Sequence, residues 1–303
     1  MAHKRRIYIS LPADTWMSKK QIALKWAIVD EIEKLGYEAQ VFGGPVGGRG
    51  LPAGMGWSPR DCIAVMRRCI GAAIIGLPKW VFSIDRRSFR LATEYCHHEG
   101  ALAHAYGLPI LTIVEKGVEP RLMLNPLCGQ EIIPVPPAAN PSWLSTDSFR
   151  RPFQTWNAKL EWRRDVFLGY CGSSLGTARN LKRFLETLNV TILDWHEDFA
   201  PGKSILQQIE EAASRCSVGI FLFTNDDKVM DESQSGRAVP RDNVVFEAGF
   251  FSHAKGKDRV LIIREEGSKM PADLGGDIYA PLADKADISS VEPYVKRFIA
   301  EHL

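Results

Sequence analysis

The stretch FEAGFFSHAKGKDRVLIIRE, residues 246–265, decides the fold, because it joins a helical pattern to a buried strand. Residues 243–254 are predicted to be helical, and RVLIIRE (259–265) is the short apolar run typical of a strand covered on both faces. The first half of the chain contains a counterpart, HEGALAHAYGLPILTIVE at residues 98–115. A helix followed by a buried strand, present twice, predicts parallel βα units in a repeated domain.

The same alternation continues along both halves of the chain. The predicted strands of the first half are 5–11, 38–42, 70–77 and 108–115, and those of the second half are 163–170, 190–195, 218–224 and 259–265. The pair Arg5-Arg6 finds its counterpart in Arg163-Arg164. We therefore predict an α/β protein with two tandem flavodoxin/Rossmann-like domains built on parallel sheets.

Domain boundaries follow from a change in composition between the two halves. Residues 121–162 contain the Pro- and Trp-bearing stretch IIPVPPAANPSW and show little periodicity, which favours a connector that packs on the surface. The predicted division is a Rossmann-like domain at 1–120, a connector at 121–162 and a second domain at 163–303.

Composition narrows the class of protein. The chain has 303 residues with 38 Lys+Arg against 36 Asp+Glu, a net charge of +2 that is too even to predict direct nucleic-acid binding. No signal-peptide pattern or membrane-length apolar run is present, so we expect a cytoplasmic protein without a membrane partner. Its six cysteines are scattered without CxxC pairs, which favours reduced core thiols over disulfides or metal ligands.

Ligands of open parallel sheets gather outside the carboxyl ends of the strands. In the second domain, the first loop at that edge is GYCGSSLGT (169–177), where Gly169, Ser173 and Ser174 precede a predicted helix. Small polar residues at such a place can hold a phosphate or ribose, and they are equally ordinary helix N-caps.

A single carboxylate, Glu247, lies inside the apolar stretch RDNVVFEAGFF, residues 241–251. If the helix begins at Asp242 or Asn243, Glu247 lies one turn in, near the loops and the positive end of the helix dipole. Its surroundings of Val and Phe would then tune its ionisation. Periodicity alone also allows a glutamate that points to solvent from an otherwise buried helix.

Three motifs together resemble a known family. FLFTNDD (221–227), RDNVVFEAGFF (241–251) and PADLGGDIYAPL (271–282) resemble, in order and spacing, the bacterial TIR-like nucleotide-binding proteins that act as effectors in cyclic-nucleotide-triggered anti-phage systems. The resemblance covers about residues 163–290. It implies a flavodoxin-like TIR domain in the second half of the chain.

The resemblance implies that the second domain is an NAD⁺ nucleosidase that cleaves the nicotinamide–ribose bond. Glu247 falls on the catalytic glutamate of the motif, and NAD⁺ is the substrate, with no cofactor and no metal expected. A carboxylate beside the ribose can stabilise the oxocarbenium character of the transition state or trap the sugar as an ester. Nicotinamide leaves without being protonated, so one carboxylate suffices.

Other residues are expected to bind the substrate. The candidates at the carboxyl edge are Gly169, Ser173, Ser174, Trp195, Asp226, Asp227, Arg241 and Asn243. Trp195 would stack on a ring, while Arg241 and Asn243 would bind phosphate or ribose. Asn243 as the helix N-cap and the two aspartates as solvated loop acids are open alternatives.

The family also implies regulation. We expect activation by a cyclic nucleotide or another nucleotide, and a homo-oligomer whose neighbouring copies complete the site. Two alternative functions remain open: a cyclase that forms cyclic ADP-ribose with the same glutamate, and a non-catalytic nucleotide-binding sensor.

The first domain retains Glu99 at the position of Glu247, inside ATEYCHHEGALAHAYGLPI. This domain is expected to be a degenerate TIR-like domain or a Rossmannoid that loosely resembles the nucleoside deoxyribosyltransferases. The Gly-rich stretch 43–57 predicts either a phosphate-binding loop with Arg49 or an ordinary surface loop. Arg49 and Glu99 are therefore the candidate ligand residues of the first domain.

Overall fold

The computed structural model describes residues 3–43, 49–52, 54–128, 131–199, 202, 204–230, 236–268 and 279–303. The chain divides into two compact units, one of Lys4–Trp162 and one of His3 with Arg163–Leu303.

The N-terminal unit is a parallel sheet with helices. Its strands are β1 (Arg6–Ser10), β2 (Glu38–Val41), β3 (Cys69–Gly76), β4 (Trp80–Ile84), β5 (Arg87–Leu91), β6 (Ile110–Glu115) and β7 (Ile132–Val135). Its α-helices are α1 (Lys19–Lys34), α2 (Pro59–Met66), α3 (Glu94–Ala105) and α4 (Asp147–Trp162). The main sheet has the order β2-β1-β3-β6-β7 with every neighbouring pair parallel. This is the flavodoxin-like order, in which the chain reverses its direction of winding between β1 and β3.

Residues 121–162, expected as a connector, contribute to the N-terminal unit itself. Strand β7 pairs with β6 at the edge of the sheet, and α4 packs on the core. The helix buries Phe149, Phe153, Trp156 and Leu160, which recur at helical spacing along one face. The antiparallel hairpin of β4 and β5 is a further element that the sequence pattern does not predict.

The C-terminal unit repeats this plan. Its strands are β8 (Arg164–Gly169), β9 (Ile192–Asp194), β10 (Cys216–Phe223), β11 (Asp227–Met230), β12 (Gly236–Val239), β13 (Val260–Glu265) and β14 (Tyr279–Leu282). Its α-helices are α5 (Leu175–Thr187), α6 (Trp195–Asp198), α7 (Ile205–Arg215), α8 (Asp242–Lys255) and α9 (Glu292–His302). The main sheet runs β14-β13-β10-β8-β9, again parallel throughout.

Both sheets therefore have the same strand order, and the predicted fold class of two tandem flavodoxin/Rossmann-like domains is confirmed. The central strand β10 explains why the prediction works, because its apolar run from Val218 to Phe223 is buried on both faces. Helix α8 covers one face of this strand through Val244, Ala248 and Phe251.

Two further properties bear on function. Across the described residues, no helix is long and apolar enough to cross a membrane. The same part of the chain contains no group of His, Cys, Asp and Glu side chains arranged to hold a metal ion.

Candidate active site

A polar cluster lies at the carboxyl edge of the C-terminal sheet, where β8 and β10 end. The Ser174 and Thr224 hydroxyl oxygens are 2.5 Å apart, and both side chains are buried. The Ser173 hydroxyl donates to Asp226 Oδ1 at 2.6 Å, and the Thr224 hydroxyl is 2.8 Å from the same oxygen. The structure thus brings Ser173, Ser174 and Asp226 together, as their loop positions predict.

Lys285 supplies the positive charge of this cluster. Its Nζ lies 3.2 Å from Glu265 Oε2, at the end of β13, and 4.0 Å from Asp226 Oδ1. Burial by itself would raise the pKa of Asp226, but hydrogen bonds from Cys171, Ser173 and Thr224, together with the charge of Lys285, hold that pKa below its usual value. Asp226 is therefore ionised at neutral pH and fixes the two loops to each other.

Glu247 lies on α8 beneath the same edge. Its side chain is only 7% exposed, so the alternative in which it faces solvent is wrong. The helix begins at Asp242, which places Glu247 in its second turn. Among the described residues, Glu247 Oε2 has no hydrogen-bond partner.

Gly169 at the end of β8 provides the space into which Glu247 points. A Cβ atom at Gly169 would lie 3.0 Å from Glu247 Oε2 and 2.4 Å from Cδ1 of the Phe221 ring. Since ordinary carbon contacts are about 3.5–4.0 Å, only glycine fits here without a shift of its neighbours. The role of Gly169 is thus steric: it lets the carboxylate approach the end of β8.

Burial raises the pKa of Glu247 to about 7. No described cation or donor compensates for the loss of water around its free oxygen. Such a carboxyl group exchanges its proton near neutral pH and has a free oxygen for a ligand, as expected at a reactive site.

The remaining predicted substrate-binding residues of the C-terminal unit differ in their position and exposure. Trp195 begins α6, where its ring lies 5.6 Å from that of Tyr170, and its buried Nε1 has no partner within the described part of the chain. Arg241 is the N-cap residue of α8, and Asn243 lies exposed inside the first turn, so Asn243 is not the N-cap. Asp227 begins β11, and its side chain lies outside the described residues, as does 269–278 of the third motif.

A shallow groove beside Ser173 was not predicted from the sequence. Its volume is about 450 Å³, and its cationic lining residues are Arg179, Arg183 and Lys285. Thr177 and Asn180 of α5 donate to the carbonyl oxygens of Lys285 and Ala286, at 2.8 and 3.1 Å, and so hold this groove together. The sequence signal for this groove was the pair Arg179 and Arg183, which lie four residues apart on a predicted helix and therefore on the same face.

The two candidate residues of the N-terminal unit, Glu99 and Arg49, do not form one site. Glu99 on α3 is 4% exposed, and its Oε1 accepts hydrogen bonds from the Tyr8 hydroxyl and the Trp57 indole at 2.6 and 2.7 Å. Arg49 instead pairs with Asp30 and Glu33 of α1. The two residues do not line a common cavity in the described part of this unit.

Comparison with known proteins shows what the C-terminal unit is similar to. Residues 165–284 match the family described as "CAP12/Pycsar effector protein, TIR domain". A CD-NTase-associated protein 12 from a Lachnospiraceae bacterium is 33% identical over 112 residues, which are 37% of this chain and 35% of that protein. A namesake from Flavobacterium daejeonense is 31% identical, covering 46% of each chain.

A third relative carries the other name of the family. The Pycsar effector protein BcPycTIR of Burkholderia cepacia is 32% identical over 123 residues, covering 40% of each chain. The chain thus spans between a third and a half of the length of these curated relatives. The resemblance predicted for residues 163–290 is confirmed over 165–284.

Proposed function

Because residues 165–284 match the TIR domain of the CAP12/Pycsar effector proteins, we propose that this domain hydrolyses the nicotinamide–ribose bond of NAD⁺, with Glu247 as its catalytic residue. The observation that carries the proposal is the free oxygen of Glu247. A buried carboxyl group that only stabilised the fold would be expected to have its polar atoms satisfied. Glu247 Oε2 has no partner among the described residues, yet it lies at the edge where parallel sheets bind ligands.

The chemistry requires one carboxylate. As the bond between ribose C1′ and the nicotinamide nitrogen breaks, its electron pair neutralises the pyridinium, and positive charge develops on the sugar. Ionised Glu247 stabilises that charge, more strongly inside a buried site than in water. Water then adds to C1′ and releases a proton, which leaves ADP-ribose and nicotinamide.

Substrate positioning follows from the neighbouring cluster. The cationic groove of Arg179, Arg183 and Lys285 suits the diphosphate of NAD⁺, because guanidinium groups bind phosphate oxygens through paired hydrogen bonds. Asp226, Ser173 and Ser174 offer acceptors and donors to a ribose at the adjoining edge. Trp195, whose buried indole N–H has no partner within the described residues, directly follows β9 and offers an aromatic surface for a ring.

The test is nicotinamide release by the full chain. Wild type, Glu247→Gln and the control Glu210→Gln, an exposed glutamate on α7, are incubated with NAD⁺ alone and with a panel of cyclic nucleotides. We expect release by wild type and by the control and its loss in Glu247→Gln. Full release by Glu247→Gln would refute the site, and no release by wild type under any condition would refute the activity.

The same assay resolves the finer questions. Chromatography of the second product distinguishes ADP-ribose, expected when water attacks, from cyclic ADP-ribose, expected when the adenine attacks. We further propose that the protein acts in anti-phage defence, and that a nucleotide signal or assembly into a homo-oligomer raises its activity. A rate that rises more steeply than in proportion to protein concentration would support assembly.

A further inference from the structure

Strand β4 forms an open, apolar edge of the hairpin in the N-terminal unit. Among the described residues it pairs with β5 alone, and its sequence WVFSI contains no charged side chain. Its apolar residues are between 41% and 64% exposed: Trp80, Val81, Phe82 and Ile84. Natural proteins protect an exposed strand edge with charges, prolines or bulges, because an unprotected edge pairs with another strand. Strand β4 has none of these protections along residues 80–84.

The other strand of the same hairpin is protected. Strand β5 carries the charges of Arg87 and Arg90, and the guanidinium carbon of Arg87 lies 4.9 Å from the centroid of the Phe89 ring. The Arg90 carbonyl accepts a hydrogen bond from the Glu119 N–H at 2.9 Å, which closes part of this edge against the same unit. The contrast between the two strands indicates that β4 is the one left for an external partner.

The register of the hairpin fixes which backbone groups of β4 face outward. Residues 85–86 form a two-residue loop with φ values of 47° and 66°. Such a loop is flanked by a hydrogen-bonded pair, and since the pairs alternate, the N–H and C=O groups of Val81 and Ser83 point away from β5. Arg90, which is opposite Val81, accepts its bond from outside the hairpin, in agreement with this alternation.

These outward groups match those of a second copy turned about a two-fold axis. If Phe82 lies on the axis, Val81 of one copy is opposite Ser83 of the other, and the two residues exchange both of their N–H···O bonds. Because side chains alternate along a strand, Trp80, Phe82 and Ile84 share one face. Pairing would therefore join the apolar faces of the two copies into one continuous strip.

The charges at the ends of β4 fit the same register. Counted outward from Phe82, Lys79 of one copy lies opposite Asp85 of the other, at both ends of the paired strands. Opposite charges at such positions stabilise an antiparallel pair. Within its own copy Lys79 Nζ lies 3.6 Å from Glu94, which leaves ammonium donors for a second carboxylate. A second copy supplies this complementary pattern by symmetry alone.

We propose that two copies of the chain pair antiparallel through β4, with Phe82 at the two-fold axis, so that two hairpins form one four-stranded sheet. This dimer does not depend on NAD⁺ cleavage, and it would supply one contact of the homo-oligomer proposed above. Each copy contributes a hairpin with two strands of five residues, against about 20–30 residues a side in a standard interface. We therefore expect a dissociation constant on the order of 10 µM.

Sedimentation equilibrium of the full chain, without any nucleotide, tests the dimer. Ser83→Pro removes an outward N–H that the second copy would use, and proline is tolerated at such an edge position. Ser88→Pro is the matched control, because Ser88 lies opposite Ser83 and its N–H faces the other edge of the hairpin. We expect wild type and Ser88→Pro to shift from monomer to dimer between about 1 and about 300 µM, and Ser83→Pro to dimerise at least about tenfold more weakly.

Oxidative cross-linking tests the register. Phe82→Cys would place two thiols across a non-hydrogen-bonded pair, where Cα atoms are about 4.5 Å apart, within the span of a disulfide. Ser88→Cys adds a thiol to the same hairpin away from the proposed interface, and wild type gives the background of the native cysteines. We expect Phe82→Cys to form covalent dimers at least about tenfold faster than Ser88→Cys.

Three results would overturn the proposal. Wild type would remain monomeric up to about 300 µM, Ser83→Pro would dimerise as strongly as wild type, or the two cysteine variants would cross-link at the same rate. Flotation of wild type with vesicles of anionic lipid decides the rival occupant. A protein that floats with the vesicles and remains monomeric would assign the apolar edge to a membrane surface, and would equally overturn the dimer.

Discussion

Gly169→Ala should separate the steric argument for the active site from any general effect of mutating a glycine. The added Cβ would lie 2.4 Å from Cδ1 and 2.6 Å from Cε1 of Phe221. Restoring an ordinary contact means moving that ring by about 1 Å or more. Phe221 is fully buried against Phe167 and Phe251, with ring centroids 5.8 and 5.5 Å away, so it has nowhere to move without disturbing the core.

Overpacking of this kind costs about 1–3 kcal/mol in the free energy of unfolding. Hydrogen exchange followed by mass spectrometry measures this loss in the peptides of β8 and β10, separately from the stability of the N-terminal unit. A loss of that size corresponds to roughly 5- to 150-fold faster exchange of the most protected amides. Cleavage of NAD⁺ should also fall, because Phe221 and Glu247 would both be displaced.

The matched control is Gly249→Ala, two residues from Glu247 on the same helix. A Cβ there meets no atom within 4 Å, so alanine should slow exchange slightly through its higher helix propensity and leave cleavage intact. Unchanged exchange of β8 and β10 in Gly169→Ala would refute the reasoning. So would equal losses of activity in the two variants.

Four further predictions concern the C-terminal unit. Burial raises the pKa of Glu247 from 4.5 to about 7 in the folded protein, so its contribution to stability is complete below pH 4.5 and is lost as the pH rises to 7. Thermal unfolding at pH 8 should therefore show Glu247→Gln to be more stable than wild type by about 3 kcal/mol. Equal stability of the two proteins would contradict this. The cleavage rate of wild type should rise between pH 6 and 8 with a midpoint near 7, because the ionised form acts. Asp226→Asn should speed hydrogen exchange in the peptide that ends β10, more at pH 7 than at pH 3, because the pKa of Asp226 is lowered and its contribution is lost in acid. Arg179→Ala combined with Arg183→Ala should raise KM for NAD⁺ about tenfold with little change in kcat, and nicotinamide mononucleotide, which lacks the diphosphate bridge, should be less affected.

The sheets were predictable from sequence because parallel strands leave a strong signal. Runs such as residues 70–77 and 218–224 are apolar because these central strands are covered on both faces of the sheet. The β4–β5 hairpin was missed for the opposite reason. Residues 80–84 are exposed although four of the five are apolar, and nothing in their pattern distinguishes them from a core strand.

Helix α4 was not predicted from the sequence, for a different reason. Its four large buried side chains recur at helical spacing, but Pro152 inside the helix and the prolines before it favour an irregular connector. Packing of that aromatic face on the sheet outweighs the local cost of one proline, and local sequence signals do not measure packing.

The sequence predicts which residues form the site, but it does not predict how their side chains are arranged. Sequence placed Ser173, Ser174, Asp226 and Glu247 at one edge, and the structure brings the first three into one hydrogen-bonded cluster. It could not tell which way α8 faces, because that helix is apolar on all sides. Phe246 turns out 54% exposed while its neighbour Glu247 is buried, the reverse of what hydrophobicity alone predicts.

The burial of Glu247 without a partner in the described structure has a consequence for directed evolution. A library sorted only for yield of folded protein at pH 8 should enrich neutral side chains at position 247, since each removes an ionised group from the core. Sorting for abundance would thus discard the proposed chemistry while it improved the protein. Any selection on this scaffold should therefore score turnover and expression separately.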